Sequence, residues 1–277
     1  MILGLASPTY SGVQPPENPL LWLLERCVAY DLKALEASLP AEDTENSKEV
    51  GRIAADLGIT WVGYWSNDFV TPEGGGEELR GRAERMLDSA VNGGVKTVVI
   101  FGVGSRHNRF TKSPPLANQL KLLVDHLGPV AEAASDRGIQ LGLLPHLDYR
   151  GHEMVSVMRA VDHPALKMAF DTTNPFPVCE EPVEVAKIVL PHGVAVALKD
   201  VQIFPHRSND VTIWGTPIGR GSVDFDSILP MLSELLPYPE GTTASIKLRL
   251  PPGNTEHDAW MKQSLAFLQS HSALCGC

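Results

Sequence analysis

The chain has 277 residues, 43% of them hydrophobic and 20% charged, with a formal net charge of −10. That length suits one large core, and the acidic balance argues against a general nucleic-acid or anionic-membrane surface, because phosphate binding needs clustered Lys and Arg. No run approaches the roughly 20 apolar residues of a membrane span, and Met1–Leu5 lacks the basic flank and long apolar stretch of a signal peptide, so the expectation is a soluble, cytoplasmic protein.

In chain order, one alternation runs to the end. Ile2–Ser7 reads as an apolar strand and Pro19–Tyr30 as a helix, with Leu20, Leu21, Leu23, Leu24, Cys27 and Val28 at helical spacing. The strand Leu32–Leu39 carries Glu36, and the helix Ser47–Leu57 closes at Gly58 before the strand Ile59–Trp65. The helix Glu77–Asn92 ends on Gly93-Gly94 and leads into Val95–Val103, which is rich in β-branched residues. Leu116–Arg137 is helical, Ile139–Leu144 extended, and Gly151–Val161 helical again. The apolar run from Leu166 stops abruptly on Asp171, and a helix at Pro182–Leu190 follows. A strand at Gly193–Val201, a helix at Val223–Leu235, a strand at Thr243–Leu250 and a helix at His257–His271 complete the series. Eight strand-helix units with crossover helices predict parallel strands closed into a single (β/α)8 TIM barrel over residues 1–277, of class α/β. Gly74–Gly76 and Gly215–Gly221 read as loops within it.

In such a barrel the functional groups come from the C-terminal strand ends and the loops beyond. Those positions hold Glu36, Tyr64, Trp65, Asn67, His107, Arg109, His146, Asp148, Asp171, Lys199, Asp200, Lys247 and Arg249. Asp171, followed by Thr172-Thr173-Asn174-Pro175, is either a site group or the cap of the next turn. Of the Lys199-Asp200 pair, one is expected to face solvent. No Gly-x-Gly-x-x-Gly, phosphate-loop lysine or Gly-x-Ser-x-Gly motif is present, so nucleotide binding has no support. Cys27, Cys179, Cys275 and Cys277 are too few and scattered for a disulfide framework; the terminal Cys-Gly-Cys reads as a frayed end. His107, His152, His192, His206 and His257 lack ligand spacing and read mostly as surface residues.

The strand-end motifs together resemble the xylose-isomerase-like barrels: sugar phosphate isomerases and epimerases, inosose and dehydroshikimate dehydratases, and AP endonuclease relatives. Leu144-Pro145-His146 lies where a Glu-Asn-His triplet is usual, and Phe170-Asp171-Thr172-Thr173-Asn174 matches the Asp-Thr-x-Asn pattern. Val196-Ala197-Leu198-Lys199-Asp200 is similar to Val-His-Leu-Lys-Asp, Pro217–Gly221 to the Leu-Gly-Glu-Gly loop, and Ile246-Lys247 takes the place of Ile-Glu. The resemblance implies a divalent metal held by Glu, Asp, His and Glu, but those positions here read Leu144, Asp171, Ala197 and Lys247. Leu and Ala carry no donor atom and an ammonium only donates hydrogens, so no metal is expected; a weak Mn or Mg ion at Asp171 and His146 is the minority reading.

Strand parity turns Ser245, Lys247 and Arg249 inward, which predicts that the Lys247 ammonium lies against Asp171 where the cation would have been. A fixed lysine then takes over part of the metal's charge while a proton moves, with Glu36 or His146 as base and Lys199, Arg249, Trp65, Asn174 and Arg220 as substrate contacts. Lysine Schiff-base chemistry stays open beside it. The expected function is a metal-independent sugar isomerase, epimerase or lyase acting on a carbohydrate, polyol or keto-sugar. The alternative is a noncatalytic pseudoenzyme or sugar-binding partner subunit, with Lys247 and Asp171 as an ion pair plugging a dead site. A homodimer is implied by the resemblance alone.

Overall fold

In the computed structural model, which describes residues 1–15, 17–41, 43–102, 106–205 and 210–271, the strands close into a parallel barrel. His206, Cys275, Cys277 and the end of the expected strand at Val103 lie outside the described residues. The elements are β1 (Ile2–Ala6), α1 (Pro19–Ala29), β2 (Ala34–Ser38), α2 (Thr44–Asp56), β3 (Thr60–Asn67), α3 (Gly75–Asn92), β4 (Thr97–Gly102), α4 (Leu116–Ser135), β5 (Gln140–Leu143), α5 (Gly151–Val161), β6 (Leu166–Asp171), α6 (Pro182–Val189), β7 (Gly193–Leu198), β8 (Asp200–Pro205), β9 (Val211–Thr216), α7 (Phe225–Leu235), β10 (Thr243–Ile246) and α8 (His257–Ser270). Barrel order is β1-β10-β7-β6-β5-β4-β3-β2, while β8 and β9 form a separate antiparallel pair.

Each expected strand-helix unit is present, with ends moved by a few residues. The helix starts follow from local chemistry: Asn18 and Asp43 accept from the first free backbone N–H groups of α1 and α2, and Pro19 and Pro182 open α1 and α6, where the missing N–H costs nothing. The apolar helix faces pack on the outside of the barrel, where Leu24, Leu87, Leu127, Val189, Leu229 and Met261 are fully buried. The interior of the barrel is a smaller cluster of Val62, Val99, Leu144, Ala169 and Ala195, with Tyr64 and Phe101 against it.

Two features differ from the expectation. The strand expected over Gly193–Val201 ends at Leu198, and the chain turns into the β8–β9 hairpin, whose pairing runs from Asp200–Thr216 to Pro205–Val211. Ile203, Phe204, Val211, Ile213 and Trp214 on it are exposed. The register of β7 on β6 also shifts between Met168 and Ala169, leaving Val194 as an extra residue.

Candidate active site

The register of the barrel decides which side chains meet at its mouth. Asp171 ends β6 level with Ala197 on β7, and Ala197 is level with Ser245 on β10. Lys199 and Lys247 each stand two residues further up their own strand lines, so both rise above Asp171. The lysine that reaches this aspartate is Lys199, with Nζ 2.6 Å from Oδ2, and not Lys247 as parity had suggested. Lys247 lies on the far side of β7, and its Nζ is 3.4 Å from Glu36 Oε1. Between Lys247 and Glu36 runs β1, whose Ala6, level with Glu36, is too small to block the contact.

Both pairs are sequestered. Asp171, Lys199, Glu36 and Lys247 are 2%, 7%, 3% and 5% exposed. Asp171 Oδ1 accepts from Thr173 N, Thr173 Oγ1 and Asn174 N, so the residue caps its own loop and holds an ion pair at once. Lys199 Nζ donates to Asn174 Oδ1 as well, and Asn174 Nδ2 donates to the Pro145 carbonyl, which ties the ends of β5, β6 and β7 together. Burial raises the carboxyl of Asp171, but the Lys199 and Lys247 charges together with the hydrogen bonds from Lys199 and the Thr173 backbone outweigh it and hold it below the usual carboxylate range. Burial pulls the Lys199 ammonium down from its ordinary value against the opposing pull of Asp171. The Lys247 charge therefore acts on Asp171 without touching it.

His146 packs at a tilt against Phe101, with ring centroids 4.5 Å apart and planes at 39°, and Lys247 Nζ sits 6.0 Å from the ring centres of both Phe101 and Tyr64. Burial, reinforced by Lys199, pushes His146 down to about 4, so its imidazole is neutral at physiological pH. Ser245 Oγ, fully buried inside the barrel, has no hydrogen-bond partner among the described residues.

The remaining predicted residues divide. Asn174 is buried in the cluster, while Arg249 is exposed yet close enough for its charge to bear on His146 and Lys199. Arg220 is exposed, and Trp65 is half-buried edge-on against Phe69. Lys199 and Asp200 are both buried, correcting the expectation that one faces solvent: two different loops need them, since Asp200 receives five backbone N–H groups. Asp148 is also buried; it accepts from the backbone N–H groups of His146 and Tyr149, and burial raises its carboxyl to about 7. Of the expected surface histidines, His152 is exposed but His107, His192 and His257 are half-buried.

A divalent ion does not fit these residues. Of the four positions that the family pattern assigns to ligands, Leu144 is packed in the apolar interior, Ala197 has no donor and Lys247 is a cation. The minority site at Asp171 and His146 fares no better, because one oxygen of Asp171 takes three hydrogen bonds and the other faces an ammonium. Among the described residues no three His, Cys, Asp or Glu side chains are placed to hold a metal.

A sequence model described as xylose isomerase-like TIM barrel matches residues 24–271. The uncharacterized protein YihM of Escherichia coli (strain K12) is 28% identical over 88 residues, 32% of this chain. The matches span 27% and 30% of the lengths of the two curated relatives found. Among solved structures, the zinc-bound IolI protein superposes with a TM-score of 0.76 at 17% identity, covering 100% of both chains. L-ribulose 3-epimerase gives 0.78 at 15% identity, covering 99% of this chain and 94% of its own. At these identities the structural likeness is one of fold. Among the described residues no helix is long and apolar enough to cross a membrane.

Proposed function

We propose, starting from the fact that this chain belongs to the xylose isomerase-like TIM barrel family, that it is a sugar isomerase- or epimerase-like protein that moves a proton on a sugar, polyol or keto-sugar without the divalent metal. The observation that carries this reading is the pair of buried lysine–carboxylate contacts at the barrel mouth, Lys199–Asp171 and Lys247–Glu36. Ammonium groups in a water-poor site attract charge developing on a carbonyl oxygen far more strongly than they would in water. Lys247 is placed to hold such an oxygen as it becomes an enediolate, with Glu36 beside it to take the proton from the adjacent carbon and return it. Neutral His146 and the unpartnered Ser245 hydroxyl supply uncharged hydrogen-bonding groups for substrate hydroxyls. Asp171 holds Lys199 and the loop to Asn174 in place.

The test is carbon-bound hydrogen exchange. Chelator-treated protein is incubated in deuterated water with a panel of ketoses, polyols and keto-sugars, and loss of C–H signal is followed by NMR. Exchange on one panel member should survive chelation and fall by roughly 100-fold or more in Glu36→Gln and in Lys247→Met. Exchange that disappears on chelation overturns the metal-independent reading. The near-complete burial of both ion pairs favours a second reading, a noncatalytic sugar-binding protein. That reading predicts binding of a panel sugar with no exchange in the unaltered protein.

A further inference from the structure

At the opposite end of the barrel from Asp171, around the starts of β5, β6 and β7, lies a cavity of about 530 Å³. Arg159 and Asp162 from the end of α5, His163 beyond it, Lys167 on β6, His192 before β7 and Gln140 on β5 line it. The alternation that points Ala169 into the barrel points Lys167 inward too, so its ammonium is directed to the base of the barrel axis. The β7 bulge at Val194 opens this same rim.

The charge balance here runs against that of the whole molecule. In a chain of net charge −10, this cavity carries one arginine, one lysine and two histidines against a single carboxylate, Asp162. Among the described residues Arg159, Lys167, His163 and Asp162 form no ion pair. Arg159 instead lies 3.3 Å from His192 Nε2, a contact in which a neutral imidazole accepts from the guanidinium. Burial, with the Arg159 and Lys167 charges adding to it, lowers the His192 ring's affinity for a proton. The favourable position of a cation at a helix C-terminus accounts for Arg159 on α5, but not for Lys167, which belongs to a strand. The N-terminal face of such barrels ordinarily serves stability, so a roomy cavity rich in hydrogen donors is out of keeping with that role.

We propose that this cavity is a second binding site, separate from the mouth, for a small oxyanion of the phosphate class, free or carried on a small molecule. Arg159 offers a planar fork of N–H donors, Lys167 a point charge, and Gln140 an amide N–H group beside them. The volume exceeds that of a bare phosphate and admits a phosphorylated small molecule.

The test is calorimetric titration of the full chain with inorganic phosphate, and separately with glucose 6-phosphate, at constant ionic strength. Saturable binding with a Kd near or below about 1 mM is expected, weakened at least about tenfold by Arg159→Gln and by Lys167→Gln, and unchanged by Lys262→Gln on the exposed face of α8. Tighter binding of the sugar phosphate identifies a carried phosphate; equal binding identifies the free ion. As a check that does not depend on variants, the ring resonances of His163 and His192 should shift with phosphate while that of His146 stays fixed. Lack of saturation, or binding that both Gln variants retain in folded form, overturns the site.

Discussion

Asp171 shows how one carboxylate can cap a turn and hold an ion pair at once. Its Oδ1 does the work of a turn cap for Thr173 and Asn174, and its Oδ2 faces Lys199. Removing the lysine leaves a fully buried charge whose remaining partners are dipoles and the more distant Lys247. Lys199→Met should therefore destabilise the fold by roughly 3–5 kcal/mol, and the double variant Lys199→Met, Asp171→Asn should recover much of that, because the stranded charge is then gone. Urea unfolding midpoints of the unaltered protein, Lys199→Met, Asp171→Asn and the double variant check this, and a double variant no more stable than Lys199→Met would show that hydrogen bonding, not charge, dominates. The identity of Asp171 as a strand-end site candidate was legible, because an apolar run stopping on Asp leaves it nowhere else to lie. Its partner was not. Parity says that Lys247 faces inward, but only the stagger of neighbouring strands, invisible in a single sequence, puts Lys199 beside Asp171 and Lys247 beside Glu36.

The segment following β7 makes the same point for whole elements. The expected strand Gly193–Val201 runs past the end of β7 at Leu198 into the first residues of the hairpin, and the segment 202–205, short and closed by proline, carries no signal of its own that would mark a second strand. What holds the hairpin to the barrel is Asp200. Its Oδ1 accepts from Val201 N and Val223 N, and its Oδ2 accepts from Gly219 N, Arg220 N and Gly221 N. The glycines are required by space: a Cβ at Gly221 would overlap the Asp200 carboxylate, and one at Gly215 would overlap the Arg249 carbonyl. The loop 217–223 is thus wrapped around one buried anion. Asp200→Ala strands several backbone donors and should cost at least about 3 kcal/mol, with deuterium uptake rising first in 217–223 and the barrel strands still protected. Asp200→Asn keeps an accepting oxygen and should lose less. Uniform uptake across both regions would mean that the loop and barrel unfold as one unit.

At the scale of the whole molecule, the regular features were the readable ones, since eight apolar strands and their helices repeat a pattern that every turn signal agrees with. The mouth departs from its family's pattern through the character of a few groups, and that departure is a trade of charge. Where the family's pattern sets three carboxylates and an imidazole beside its own lysine, this mouth keeps that lysine as Lys199, sets a second one, Lys247, in place of a carboxylate, and pairs the two with Asp171 and Glu36. The trade is reversible in principle. Leu144→Glu, Ala197→His and Lys247→Glu together would restore the pattern's donors around Asp171, while removing the cation that faces Glu36. Without metal, the triple variant then gathers four buried carboxylates near one lysine, and repulsion should lower its melting temperature well below that of the unaltered protein. Added Mn2+ or Zn2+ should raise it again in proportion to the logarithm of metal concentration, because only the folded state assembles the ligands. The unaltered protein should melt at the same temperature with metal or with chelator. A melting temperature that falls on chelation of the unaltered protein would mean that it already holds an ion, and that its lysines serve beside a metal instead of in place of one.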